Sequence, residues 1–111
     1  TKPSLWEVWH ARFDYEGKSG YKFRPVIIVG VNDDALLAMM VTSVTNKLRL
    51  EHDYIIQDWR EAGLNKPSIA RIDRIAILLP DYLGRSQRFG RLSKKDIEEI
   101  SRILTLIELS E

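Results

Sequence analysis

The chain has no cysteine in its 111 residues. That excludes disulfides, thiolate metal sites and cysteine nucleophiles, and it fits a reducing compartment, so the expected location is the cytoplasm. Histidine is scarce, with only His10 and His52. No apolar run approaches the roughly 20 residues of a membrane-spanning helix, so no membrane association is expected. TKPSLWEVWH, residues 1–10, lacks a continuous apolar core and does not read as a signal peptide. No glycine loop of phosphate-cradling type and no zinc-ligand spacing is present, so neither metal nor cofactor is expected.

What is there suits one domain, residues 1–111. A hydrophobic content of 44% supports a packed core. The net charge of +1 favours no partner by itself, but its distribution is uneven. From Arg71 to Lys95, seven basic residues face only Asp73 and Asp81, and the stretch after Lys95 is acidic. A basic segment attracts phosphates, although most charge runs are solvated surface.

The pattern predicts a mostly β domain with helical additions. LWEVWHARF, residues 5–13, reads as a first strand, and DYEGKSG as the loop after it. PVIIVG reads as a buried second strand with Arg24 standing before it. Pro25 restricts that arginine to an extended conformation and so gives it a fixed direction. LLAMMVTS, residues 36–43, forms a third strand ending in hydroxyls, and Tyr54–Gln57 a short fourth. DWREAGL suggests one helical turn with Asp58 as cap and Gly63 as stop. In Ser68–Leu79, alternation puts Ile69, Arg71, Asp73 and Ile75 on one face. Phe89–Leu92 reads as a last short strand. Ser93 opens the clearest helix, with Asp96 at the capping-box position and Ile97, Ile100, Ile103, Leu104 and Ile107 as its apolar stripe. Trp6, Trp9 and Trp59 are assigned to core or interface rather than to base stacking.

Three features bear on chemistry. Two histidines suffice for ribonuclease-type acid–base catalysis, but His10 falls in a strand and His52 in a polar turn. Thr42 and Ser43 end an apolar strand. Arg71 and Asp73 lie two strand positions apart, about 7 Å, a spacing that suits a salt bridge as well as a shared phosphate.

These pieces together resemble one family. KFRPVIIVG resembles the K-x-R-P-apolar signature of the MazF/PemK toxins, endoribonucleases of type II toxin–antitoxin pairs. VTS at 41–43, DWREAGLNKPSIARID at 58–73 and FGRLSKKDIEEI at 89–100 follow in the family's order. The resemblance spans about residues 5–107. It implies an SH3-like small barrel of the MazF/PemK/CcdB type with an amphipathic C-terminal helix. It also implies a homodimer, a cognate antitoxin, and single-stranded RNA, normally mRNA, as substrate. Cleavage would need no metal: the 2′-hydroxyl attacks the adjacent phosphorus and leaves 2′,3′-cyclic phosphate and 5′-hydroxyl ends. Carried over by position, the catalytic residues would be Arg24, Thr42, Arg71 and Asp73. Lys18, Lys22, Ser43 and Thr45 would contact RNA. Many members carry Glu-Gln or His-Glu-Gln in the loop before the arginine; here Lys18 and Ser19 stand there. The alternative implied by that departure is a weak or inactive RNA-binding module, or a CcdB-like binder of a protein target.

Overall fold

The computed structural model describes residues 2–14, 17–44 and 49–110, with the backbone alone for 84–87. Six strands run in the order β1 (Glu7–Asp14), β2 (Tyr21–Val31), β3 (Leu36–Ser43), β4 (Asp53–Ile55), β5 (Ser68–Leu78) and β6 (Leu83–Arg91). A 3-10 turn, Pro80–Tyr82, joins β5 to β6, and the helix α1 (Lys94–Leu109) follows. The strands form one antiparallel sheet ordered β4-β5-β3-β2-β1-β6.

The short link after β5 shows that this sheet is curled. β5 and β6 are four strand spacings apart, about 19 Å in a flat sheet. A 3-10 turn rises only about 2 Å per residue and falls short of that span. The sheet therefore bends round, and bulges at Val8/Trp9, Trp9/Ala11, Ile28/Gly30 and Met39/Met40 let it do so. Tyr82 and Leu83 reach the inner cluster of Trp9, Ala11, Val26, Ile28, Ala38 and Leu78. This is the small-barrel class that the sequence implies.

The other face packs under the helix. Val8, Ile27, Met39, Val41 and Ile72 meet Ile100, with Ile97, Ile103, Leu104 and Ile107 against them. The predicted stripe is thus the packing face of α1. Ser93 caps the helix as predicted, its hydroxyl accepting from the Asp96 N–H at 3.2 Å. No helix among the described residues is long and apolar enough to cross a membrane.

Four local expectations change. β2 begins at Tyr21, so Arg24 and Pro25 lie inside the strand. β6 spans nine residues, not four, because β1 supplies partners from Arg91 back to Leu83 despite a sequence of low strand propensity. β4 stops at Ile55, since the Gln57 and Asp58 N–H groups donate to Asp96 rather than to a strand. On β5 the alternation fails: β3 pairs Met40 with Arg71 and Met39 with Ile75, so residues 72–74 have no partner on β3.

Candidate functional site: a cationic cleft where two strands part

β2 and β3 pair from Val31↔Leu36 back to Val26↔Met40. Beyond that point β2 follows β1, with Pro25 opposite His10 and Arg24 opposite Ala11. β3 follows β5 instead, as far as Ser43↔Ser68. Pro25 has no N–H to offer a ladder, and it stands where the two strands separate. A cleft of about 390 Å³ opens in this fork.

Arg24 and Pro25 line one prong of the fork, and Val41, Thr42 and Ser43 the other. Gly63, Leu64, Asn65, Lys66, Ser68, Phe89 and His10 complete the lining. Among the described residues the lining holds two permanent cations, Arg24 and Lys66, and no carboxylate. The side chains of His10, Arg24, Thr42, Ser43, Asn65 and Lys66 make no hydrogen bond or ion pair with a described residue. Unpaired donors with a positive charge and no counter-charge make an anion site, and a planar guanidinium suits the oxygens of a phosphate.

The 58–66 turn is fixed to this place by two devices. Gly63 has φ +88°, and a Cβ there would run into the Phe89 carbonyl. Gly90 allows the same approach from the other side, since its Cβ would lie 2.6 Å from the Ala62 carbonyl oxygen. The second device is Asp96, which is fully buried. Its carboxylate accepts from the Tyr54 hydroxyl at 2.5 Å, from the Gln57 and Asp58 N–H groups at 3.0 and 2.9 Å, and from the Ser93 hydroxyl at 3.2 Å. Asp96 is therefore more than a helix-capping residue: it ties the helix start to the cleft wall. Burial, together with the Asp96 hydrogen bond and charge, pushes the Tyr54 phenol well above its ordinary range.

Arg71 and Asp73 lie elsewhere and do not line the cleft. Arg71 faces Asp53 across the β4–β5 pair, with 3.8 Å between charged atoms. Asp73 accepts from the His52 backbone N–H at 2.8 Å and meets the His52 ring Nδ1 at 2.7 Å. Partial burial opposes ionisation of Asp73, but those two hydrogen bonds and the charges of His52 and Arg74 outweigh it and hold its carboxyl below the usual range. The bulge separates the two residues: Arg71 stays in the ladder while Asp73 falls in the unpaired stretch.

Of the RNA contacts expected from the sequence, Ser43 lines the cleft. Lys18 lies in the exposed turn before β2, and Lys22, on β2, pairs with Phe13 of β1; neither lines the cleft. Thr45 falls outside the described residues. Lys66 is the addition that sequence reasoning missed, and His10, weighed there only together with His52, lines the cleft without it. The KPS motif at 66–68 was visible, but nothing local connects it to the arginine, and the placing of His10 depends on the strand fork.

Trp9 is buried, and its indole donates to Glu7 at 3.0 Å; Trp6 and Trp59 pack partly buried against the core. Burial of Glu7 opposes its ionisation, but hydrogen bonds from the Ser4 N–H, Trp9 and Arg88 keep its carboxyl below the ordinary range.

Residues 5–107 match the family described as PemK-like, MazF-like toxin of type II toxin-antitoxin system. The chain belongs to this family. PemK-like toxins are generally endoribonucleases, and membership brings an antitoxin partner and an RNA substrate in general. A comparison with curated proteins finds no match. In this PemK-like toxin the arginine and threonine of the family pattern, Arg24 and Thr42, share one cleft, while the Arg71–Asp73 pair stands outside it.

Proposed function

We propose that the chain is a sequence-specific endoribonuclease that cuts single-stranded RNA without a metal, by attack of a 2′-hydroxyl on the adjacent phosphorus. The observation that carries this reading is the fork cleft, where, among the described residues, Arg24 and Lys66 are unpaired and no carboxylate lines the walls. Arg24 binds the scissile phosphate and stabilises the extra negative charge of the phosphorane. Thr42 and Ser43 donate to its oxygens. His10 takes the proton from the 2′-hydroxyl as the 2′-O–P bond forms. The P–O5′ bond breaks, the departing oxygen takes a proton from solvent, and His10 returns its own to solvent. The products are a 2′,3′-cyclic phosphate and a 5′-hydroxyl. His10 thereby fills the role that a loop carboxylate or histidine holds in many relatives.

A second assignment of the base rests on the half-exposed His52–Asp73 pair. An imidazole held 2.7 Å from a carboxylate has the geometry of an oriented base. The same chemistry would then run at that pair.

The enzyme works as a homodimer and is neutralised in the cytoplasm by a cognate antitoxin. The apolar Leu37–Ile77 cross-strand pair supports the first part: both side chains are exposed, with Ile75 beside them. Exposed Arg91, Lys94 and Lys95 offer an acidic antitoxin segment a complementary surface. The discriminating experiment digests a pool of RNAs covering all short sequence combinations and maps the ends. Loss of cyclic-phosphate ends in His10→Gln with retention in Asp73→Asn supports the cleft. The reverse supports the His52–Asp73 pair, and no ends from the unaltered protein overturns the nuclease reading.

A further inference from the structure

A row of rings leads out of the cleft along one face of the β1–β2 hairpin. Phe89 and His10 line the cleft, with ring centroids 4.8 Å apart. Phe23 lies 5.5 Å from His10, and Tyr21 meets Phe23 edge-on at 5.8 Å. The register explains the row. His10 opposes Pro25, Arg12 opposes Phe23 and Asp14 opposes Tyr21, so alternate residues of both strands share that face. The Arg12 guanidinium sits over the Tyr21 ring at 4.2 Å.

The outer half of this row serves neither core. Phe23 is 44% exposed and Tyr21 51%, and neither belongs to the two packed clusters. The rings are tilted by 51° and 88° rather than stacked in parallel, so they do not cover one another's faces. Exposed aromatics on a strand face beside a cationic groove are the arrangement by which single-stranded nucleic acid is held: cations track phosphates and rings stack on bases.

We infer that Phe23 and Tyr21 form a nucleobase-stacking site for nucleotides next to the phosphate held in the cleft. The inference rests on the RNA reading above and adds where the bases go. Continuity with the cationic cleft, through His10 and Phe89, commits the site to RNA rather than to a protein. Arg12 lies on the same face but is paired with Asp14 at 3.1 Å and seated over the Tyr21 ring, so the charge that meets phosphates is that of Arg24 and Lys66 in the cleft. A base on Phe23 fixes how the neighbouring phosphate enters the fork, so the row acts on register and affinity rather than on proton transfer.

The test measures binding of 2′-O-methyl oligoribonucleotides, which cannot be cleaved by 2′-hydroxyl attack, and of an abasic oligomer with the same sugar-phosphate chain. Phe23→Ala is expected to weaken binding of the base-bearing oligomers about tenfold, within the range for loss of one stacked base. Phe23→Trp is expected to retain it. The abasic oligomer is expected to bind the unaltered protein and Phe23→Ala equally. If the unaltered protein binds the base-bearing RNA and Phe23→Ala binds it as well, the stacking site is refuted while the RNA reading stands. That holds also where Phe23→Ala instead loses self-association or capture of an acidic peptide. If the unaltered protein binds no RNA of any kind, both readings fall.

Discussion

Replacing Asp96 with alanine should cost the fold a large share of its stability and loosen the cleft wall. The carboxylate is fully buried and accepts from the Tyr54 hydroxyl, two backbone N–H groups and the Ser93 hydroxyl. Alanine leaves the phenol and both N–H groups without their acceptor. Each unsatisfied buried group costs about 1–3 kcal/mol. Tyr54 and Asp58 are half-buried and Gln57 is exposed, so water partly satisfies all three and the low end applies. The helix also loses a negative charge in its first turn, about 0.5 kcal/mol. The sum is about 3–4 kcal/mol against a typical total of about 5–15. At about 1.5 kcal/mol/M for urea, the unfolding midpoint falls by roughly 2–3 M. Asp96→Asn should lie between: it keeps one oxygen for Tyr54 and Gln57 but turns an NH2 group towards the Asp58 N–H. Urea titrations of the three proteins, followed by tryptophan fluorescence, test this. A midpoint shift in Asp96→Ala worth less than about 1 kcal/mol would refute the assignment of Asp96 as the tie between helix and cleft.

Gly63→Ala should cost about 2–4 kcal/mol, because a Cβ there meets the Phe89 carbonyl at a φ that side chains rarely adopt; thermal unfolding measures it. Stability should depend on pH at both ends. Glu7 and Asp73 have lowered folded-state values, so their contribution is complete above about pH 5 and is lost as pH falls through the folded values. Tyr54 is raised, so its contribution is complete below about pH 10 and is lost as pH rises. Urea midpoints across pH that rise below pH 4 or above pH 10 would contradict both signs. Ile77→Asp puts a charge on a residue 75% exposed in the single chain, and should convert a dimer to a monomer in sedimentation while leaving the monomer folded.

The elements legible in the sequence are those whose signals are local. β3 was bounded correctly because its apolar run is flanked by an Asx turn, where Asn32 accepts from the Asp34 and Ala35 N–H groups, and by hydroxyls. The helix was legible from the Ser93 cap and the isoleucine spacing. β6 was not, since its length comes from β1 as a partner rather than from its own residues. Arg24 and Thr42 were found through a short motif, and the fold brings them to one cleft. Arg71 and Asp73 were read as sharing a face, and a bulge that no local pattern announces separates them. Asp96 looked like a capping residue because its hydrogen-bond partners lie nearly forty positions earlier in the chain. His10 joins the cleft only because β2 leaves β3 at Pro25.

The central claim is that the unpaired Arg24 in the fork cleft carries RNA cleavage. It is tested most directly by incubating the unaltered protein and Arg24→Ala with the RNA pool in EDTA and measuring the rate at which cyclic-phosphate ends appear. The account predicts discrete cuts by the unaltered protein and a rate about 10²–10³-fold lower in Arg24→Ala, the loss expected when one donor to a developing oxyanion is removed. Equal rates in the two proteins would contradict it.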